Sequence, residues 1–223
     1  MRHLWICMAT VVLLGGLTTM GQAAATRNRS GRNQRKQKEN PIDKITAASN
    51  LNLNQMAGKW YLISVASKCP YLLENGFKVE STIISLTPPT ATDAPVLVST
   101  LRKLNQQCWE IKQEYQTTKD KGRFLIANKN ERKNIDIVIG ETDHSSYAIL
   151  YYQRHGKISM KLYGRSSKVP DSIADKFEDI AAKQNLGLDY VFQFPDYSFC
   201  ETPDKDHVLG KPKQSVYDIF GFI

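Results

Sequence analysis

The 223 residues carry a formal charge of +8 at neutral pH, 41% hydrophobic side chains and four cysteines. Residues 26–40 hold six basic side chains against one acidic, so five of those charges sit in one short stretch, and Arg2 adds another. About +2 remains for residues 41–223, which excludes a nucleic-acid-binding face on the body of the protein; the high pI describes a tail.

Residues 1–25 read as a secretory signal peptide: a basic start at Arg2 and His3, a mostly apolar run from Leu4 to Leu17, and small residues at Ala23-Ala24-Ala25. The apolar run is shorter than the roughly 20 residues a spanning helix needs. Residues 26–40 form a basic leader without apolar anchors, which buries too little surface to order itself. It reads as a solvated segment, or as one that docks on an acidic surface or glycan. Asn28-Arg29-Ser30 fits a glycosylation acceptor. Residues 41–209 are long enough for one domain with its own core.

From Gly58 onward short apolar or alternating runs are each ended by turn formers. Strands are predicted near 58–67, 79–87, 95–104, 107–117, 122–128, 134–142, 146–154 and 157–165. Glu74-Asn75-Gly76, Thr87-Pro88-Pro89, Asn128-Lys129-Asn130 and His155-Gly156 punctuate them, because Gly and Asn tolerate positive φ and Pro lacks a donor. Ile135, Ile137 and Ile139 alternate with Asp136, Val138 and Gly140, the period of two of a strand with two distinct faces. Eight such strands predict an all-β, up-and-down barrel, whose closure removes exposed edges.

After Pro170 the spacing of Ile173, Phe177, Ile180 and Ala181 predicts one amphipathic helix lying on the barrel wall, ending near residues 185–187. Ser172 and Asp175 have the spacing of a capping box. Tyr190 to Phe194 reads as a last short strand. Residues 210–223 form an extension whose end is apolar yet too short, and at Asp218 too polar, to anchor in a membrane.

With Cys7 in the signal peptide, the mature chain keeps Cys69, Cys108 and Cys200. Three thiols in an oxidising compartment cannot all pair internally, so one bonds another chain or stays reactive. Nothing names a reaction. His144, His155 and His207 are scattered without zinc spacing, no Gly-rich phosphate loop follows a strand, and Glu141 with Asp143 belongs to no catalytic constellation. No enzyme, metal or cofactor is expected.

Three patches line up with one family. Gly58-Lys59-Trp60 opens the first strand, Thr142-Asp143 closes the sixth and Arg165 ends the eighth; together they resemble the signature patches of the lipocalins. The resemblance implies that they meet at the closed end of the barrel, with the Arg165 guanidinium over the Trp60 ring. His144 stands where the second patch often has an aromatic. Leu101-Arg102-Lys103-Leu104, Cys108-Trp109, Gly122-Arg123-Phe124-Leu125 and Lys161-Leu162-Tyr163-Gly164-Arg165 are similar to the gamma chains of complement component eight, one branch of that family. So is the run from Phe194 to Glu201 around Cys200. Gly58-Lys59-Trp60-Tyr61 and Lys68-Cys69-Pro70 also resemble the alpha-1-microglobulin branch.

The resemblance implies a secreted plasma subunit, disulfide-linked to the larger alpha chain of a complement component. Through that chain it would meet the beta chain and other terminal complement proteins in the membrane attack complex. It implies a calyx for a partner peptide or a small hydrophobic ligand. Competing classes are a free carrier with a reactive thiol, and an enzyme using Cys69 as nucleophile. If Trp60 points inward, a period of two puts Leu62, Ser64 and Ala66 on the calyx face. Cys200, in the loose segment after the last strand, is expected to pair with Cys108 at the start of a wall strand. That leaves Cys69, at the mouth of the barrel, for the partner, as the resemblance also implies.

Overall fold

In the computed structural model the described residues are 40–210. Residues 1–39, with Cys7, the expected signal peptide and the expected leader up to Glu39 including Asn28, and residues 211–223 of the expected extension lie outside them. The chain runs β1 (Gly58–Ser67), α1 (Pro70–Asn75), β2 (Thr82–Thr87), β3 (Val96–Leu104), β4 (Gln107–Thr117), β5 (Arg123–Ile126), β6 (Ile135–Thr142), β7 (Tyr147–Arg154), β8 (Lys157–Gly164), α2 (Asp171–Lys183), β9 (Val191–Gln193) and β10 (Val208–Leu209). Strands β1 to β8 pair antiparallel in sequence order; β1 meets β8, and β4 meets β5 through Gln116–Leu125 and Thr117–Phe124. This is a closed eight-stranded barrel with one C-terminal helix on its wall.

Two apolar layers hold it. The inner layer packs Trp60, Leu62, Val65, Ile84, Ile137 and Tyr152 among others inside the barrel. The outer layer lies between α2 and the wall: Phe177 and Ala181 of the helix cover Val138, Ile149, Met160 and Leu162. Burying one side chain the size of Phe177 contributes about 1.5–3 kcal/mol. Because both faces of β7 are covered, all its residues from Tyr147 to Gln153 are buried and its sequence loses the alternation seen in β6. Residues before the barrel are stitched to the same wall. Ile42 N–H donates to Gln153 Oε1 at 3.0 Å, and the Arg123 guanidinium donates to the carbonyls of Ile42, Asp43 and Ile45.

Two register shifts re-aim side chains. In β6 the shift lies between Ile139 and Glu141. There the ring of Tyr151 occupies the space a Cβ on Gly140 would need, within 2.3 Å, so only glycine fits. In β1 the shift lies between Leu62 and Ser64. It places Val65, rather than Ser64, on the inner face after Leu62. The strict period of two therefore holds for Leu62 but not beyond it: Ser64 Oγ turns out to Gln193 Oε1 at 2.5 Å, and Ala66 joins the outer layer beneath α2. A bulge inserts one residue and flips every later side chain to the other face.

Other local features depart from the sequence expectation. Helix α2 starts after Pro170 with no side-chain cap, so Ser172 and Asp175 form no capping box. The segment after Cys69 coils into α1, with Leu72 buried in the inner layer. The C-terminal stretch returns to the barrel twice. Strand β9 pairs antiparallel with Ser64–Ala66 of β1, on the edge that β2 occupies only from Gly58 to Tyr61. Strand β10 pairs parallel with Glu110 and Ile111 of β4, on the edge that β5 meets only at Gln116 and Thr117. Cys108 and Cys200 are disulfide-bonded, with Cα atoms 5.6 Å apart across 92 residues. Asp204 adds hydrogen bonds in both directions to the Cys108 backbone, and His207 stacks on Trp109 at 4.0 Å between ring centroids.

Candidate functional site

The closed end is built from the three patches. Trp60 is fully buried; its Nε1–H donates to the Met56 carbonyl at 2.9 Å. The Arg165 guanidinium lies 3.8 Å from the ring centroid, close enough for a cation–π contact. The guanidinium also donates to the carbonyls of Gln55, Ala57, Lys59 and His144 at 2.6–3.3 Å. Gly58 has φ +90°, a left-handed value that brings the Ala57 and Lys59 carbonyls round toward that cation.

Thr142 and Asp143 organise the β6–β7 turn. Thr142 Oγ1 donates to the Tyr147 carbonyl at 2.7 Å and accepts from His144 N–H at 2.9 Å. The Asp143 carboxylate accepts from the backbone N–H groups of Ser145, Ser146 and Tyr147 and from the Ser146 hydroxyl. Partial burial opposes its ionisation, but these hydrogen bonds outweigh that and hold its pKa down at about 2. His144, at φ +67°, accepts at Nε2 from Asn52 N–H at 3.1 Å, so the departure from an aromatic has a role in tying down the segment before β1.

Inside the barrel, a cavity of about 40 Å³ is lined by Leu62, Val65 and Phe194 on its apolar side and by Arg102, Gln113 and Lys161 on its polar side. The Tyr115 and Tyr152 hydroxyls are 3.3 Å apart. Burial, and then neighbouring Tyr115, push the Tyr152 and Tyr163 hydroxyls up from their ordinary value. Burial lowers Lys161 to about 7, helped by the Arg102 charge; burial likewise lowers Arg102 to about 10. Sequence reasoning passed over Arg102, Gln113 and Lys161. The signal was present in β8: Lys161 and Tyr163 share the face opposite Met160 and Leu162, and the apolar face is the one α2 covers.

At the open end Cys69 is half-buried between Ser67 and Pro70, outside the Cys108–Cys200 disulfide. Its N–H donates to Ser67 Oγ at 3.1 Å. In the segment that follows it, Leu73 is 50% and Phe77 81% exposed, apolar side chains left in solvent. A half-open cavity of about 560 Å³ reaches Cys69, with Lys68, Arg154, His155 and Lys157 around it.

The residues weighed for catalysis are dispersed. Glu141 is ion-paired with Lys176 of α2, and His144, His155 and His207 lie at the closed end, at the mouth and against Trp109. Among the described residues no cluster of His, Cys, Asp or Glu could hold a metal ion, and no helix is long and apolar enough to cross a membrane.

A model of the lipocalin and cytosolic fatty-acid binding protein family matches residues 57–197, well over half of the chain. This chain belongs to the lipocalin family. As a lipocalin it is a binding protein and not an enzyme. The complement component C8 gamma chain of Oryctolagus cuniculus is 40% identical over 173 residues, which cover 78% of this chain and 84% of that protein. Protein AMBP of Bos taurus is 29% identical over 183 residues, 78% of this chain; the lipocalin spans about half (51%) of that relative's length. The solved structure of the siderocalin Ex-FABP superposes with a TM-score of 0.57 at 23% identity, covering 65% of this chain and 96% of its own, a likeness of fold alone.

Proposed function

We propose that this lipocalin is a secreted subunit of a plasma complement complex, bonded through Cys69 to a larger chain and contributing to membrane attack complex assembly. In this reading residues 1–25 are a removed signal peptide, 26–40 a basic leader that carries the candidate glycan at Asn28, 41–209 the barrel domain and 210–223 an extension. The partner is the alpha chain of complement component eight, with the beta chain reached indirectly. The observation that carries the reading is the mouth of the barrel: a half-buried thiol outside the internal disulfide, open to a cavity and followed in the chain by exposed Leu73 and Phe77. Apolar side chains left in solvent on the segment that carries the thiol are what a partner surface would cover. The similarity to a C8 gamma chain supports the choice of partner.

The test is co-expression with the alpha chain. Wild type gives a covalent adduct on a non-reducing gel; Cys69→Ala abolishes it, while association through the mouth survives in part. An adduct that persists without Cys69 overturns this assignment. A second reading, a free plasma carrier of small hydrophobic ligands with a reactive thiol, draws on the similarity to AMBP and the cavity at Cys69. It predicts that the protein from serum runs as a small monomer without reductant.

A further inference from the structure

The half-open cavity of about 560 Å³ that reaches Cys69 takes its walls from three parts of the fold. The end of β1 supplies Lys68, the β7–β8 hairpin supplies Arg154, His155 and Lys157, and the stretch after α2 supplies Gln184 and Leu186. Among the described residues that line it there is no aspartate or glutamate. Two lysines and an arginine therefore share one concave space with no carboxylate on its walls. A cleft lined by charges of one sign focuses their field and draws in the opposite charge.

The hairpin holds two of these cations together. His155 and Gly156 both have positive φ, 50° and 71°, as the two central residues of a type I′ turn require, and such a turn fixes strand register. That register sets Arg154 directly opposite Lys157. Like charges directly opposite on neighbouring strands destabilise the pair, so this placement works against the fold. Across the cavity Lys68 is exposed, and its Nζ lies 4.7 Å from the centroid of the Tyr190 ring. The aromatic face positions that cation without neutralising it. Cations set side by side around a concave space are complementary to an anion. The volume lies within the roughly 300–1,000 Å³ of ligand clefts, larger than one carboxylate needs. Because the cavity reaches Cys69, a chain bonded there passes through it.

We propose that this cavity is the docking site of an acidic segment of the partner chain, whose carboxylates flank the bonding cysteine and pair with Lys157 and Lys68. This rests on the reading of Cys69 as the link to that chain and names the chemistry of the segment it links to. Complementary charge of this kind steers encounter and fixes register.

The test is fluorescence-polarisation titration of the full secreted chain with cysteine-free peptides in which serine alternates with glutamate or with glutamine, and with a heparin hexasaccharide. The glutamate peptide should bind about tenfold more tightly than the glutamine peptide at low salt, a margin that shrinks as salt screens it. Lys157→Glu should remove the margin and Lys68→Glu should narrow it several-fold. Lys119→Glu, the same change of charge on the turn between β4 and β5 and outside the cavity lining, should leave it in place. Lys157→Glu sets an opposite charge across from Arg154, which favours the hairpin, so lost binding is not lost folding. A margin that survives both cavity substitutions lies elsewhere, on the basic leader, and overturns the site. Equal binding of the two peptides, or of neither, also overturns it. Tighter binding of the hexasaccharide than of the glutamate peptide, lost in Lys157→Glu, makes the cavity a glycan site and overturns the acidic-peptide assignment. Co-expression with the alpha chain separates this from the covalent reading: Lys157→Glu should lower the adduct several-fold with Cys69 in place. An undiminished adduct overturns the docking site and leaves the Cys69 bond standing. No adduct from wild type overturns the Cys69 bond, and the peptide titration, in which no disulfide can form, still decides whether the cavity takes an acidic peptide.

Discussion

This barrel holds cationic side chains against its core in two places, half-buried at the closed end and fully buried in the calyx, and it does so in opposite ways. At the closed end Arg165 is surrounded by acceptors: four carbonyl-bearing residues and the Trp60 ring face take up its donors and its charge. Deeper in the calyx Arg102 and Lys161 converge with Gln113 on a void also lined by Leu62, Val65 and Phe194. The first arrangement is complete within the chain and reads as architecture. The second leaves Gln113 Nε2 buried without an acceptor and sets Lys161 against the Tyr152 ring face, an arrangement that costs stability rather than supplying it.

The sharpest way to break this comparison is to remove each cation in turn. Arg165→Ala should destabilise the fold by about 3–5 kcal/mol in urea unfolding, since it strips several charge-assisted hydrogen bonds and a cation–π contact at once. Lys161→Met should act with the opposite sign. Exchanging a buried, unpaired cation for a side chain of similar volume should stabilise the unliganded protein by about 1–2 kcal/mol. A loss at Lys161 comparable with that at Arg165 would mean that both ends are scaffold.

A smaller effect separates the ends by pH. Asp143 titrates at about 2 when folded against an ordinary 3.8, so the unfolded chain takes up its proton first as pH falls. Its stabilisation is full above about pH 4 and lost as pH drops toward 2. Lys161, at about 7 against an ordinary 10.5, changes stability with the same sign for a different reason: burial disfavours its charged form. Between those values the unfolded chain holds a proton that the folded one has released, so stability rises with pH across that window. Unfolding midpoints from pH 2 to 10 should show both limbs. Asp143→Asn should flatten only the acid limb, and Lys161→Met only the alkaline one.

Much of the barrel was legible because its turns are spelled by Gly, Asn and Pro, which fixed strand limits to within a few residues. The closed end was legible because its residues form a recognisable triplet of patches. What stayed hidden has physical reasons. The bulge after Leu62 leaves no mark in Leu62-Ile63-Ser64-Val65, so strict alternation assigned Ser64 and Ala66 to the wrong face. Helix α1 is too short to show a period, and β10 is two residues long and pairs far from its neighbours in sequence. The donors of the calyx were hidden by a general presumption that apolar faces look inward. In β8 the apolar face looks outward, because α2 supplies a second core there.

The last two strands bear on when the molecule can be finished. Strand β2 leaves half of one β1 edge unpaired, and β5 leaves most of one β4 edge unpaired; β9 and β10, from beyond the eighth strand, cover those two gaps. Open strand edges are templates for pairing with other chains. A nascent polypeptide that has emerged only as far as Arg165 therefore carries two adhesive seams on an otherwise closed barrel. The stretch from Val191 to Leu209, clamped by the Cys108–Cys200 bond, seals them. Truncation before this stretch should produce oligomers rather than a slightly weakened monomer, which makes the late arrival of Cys200 a safeguard against mispairing as much as a contribution to stability.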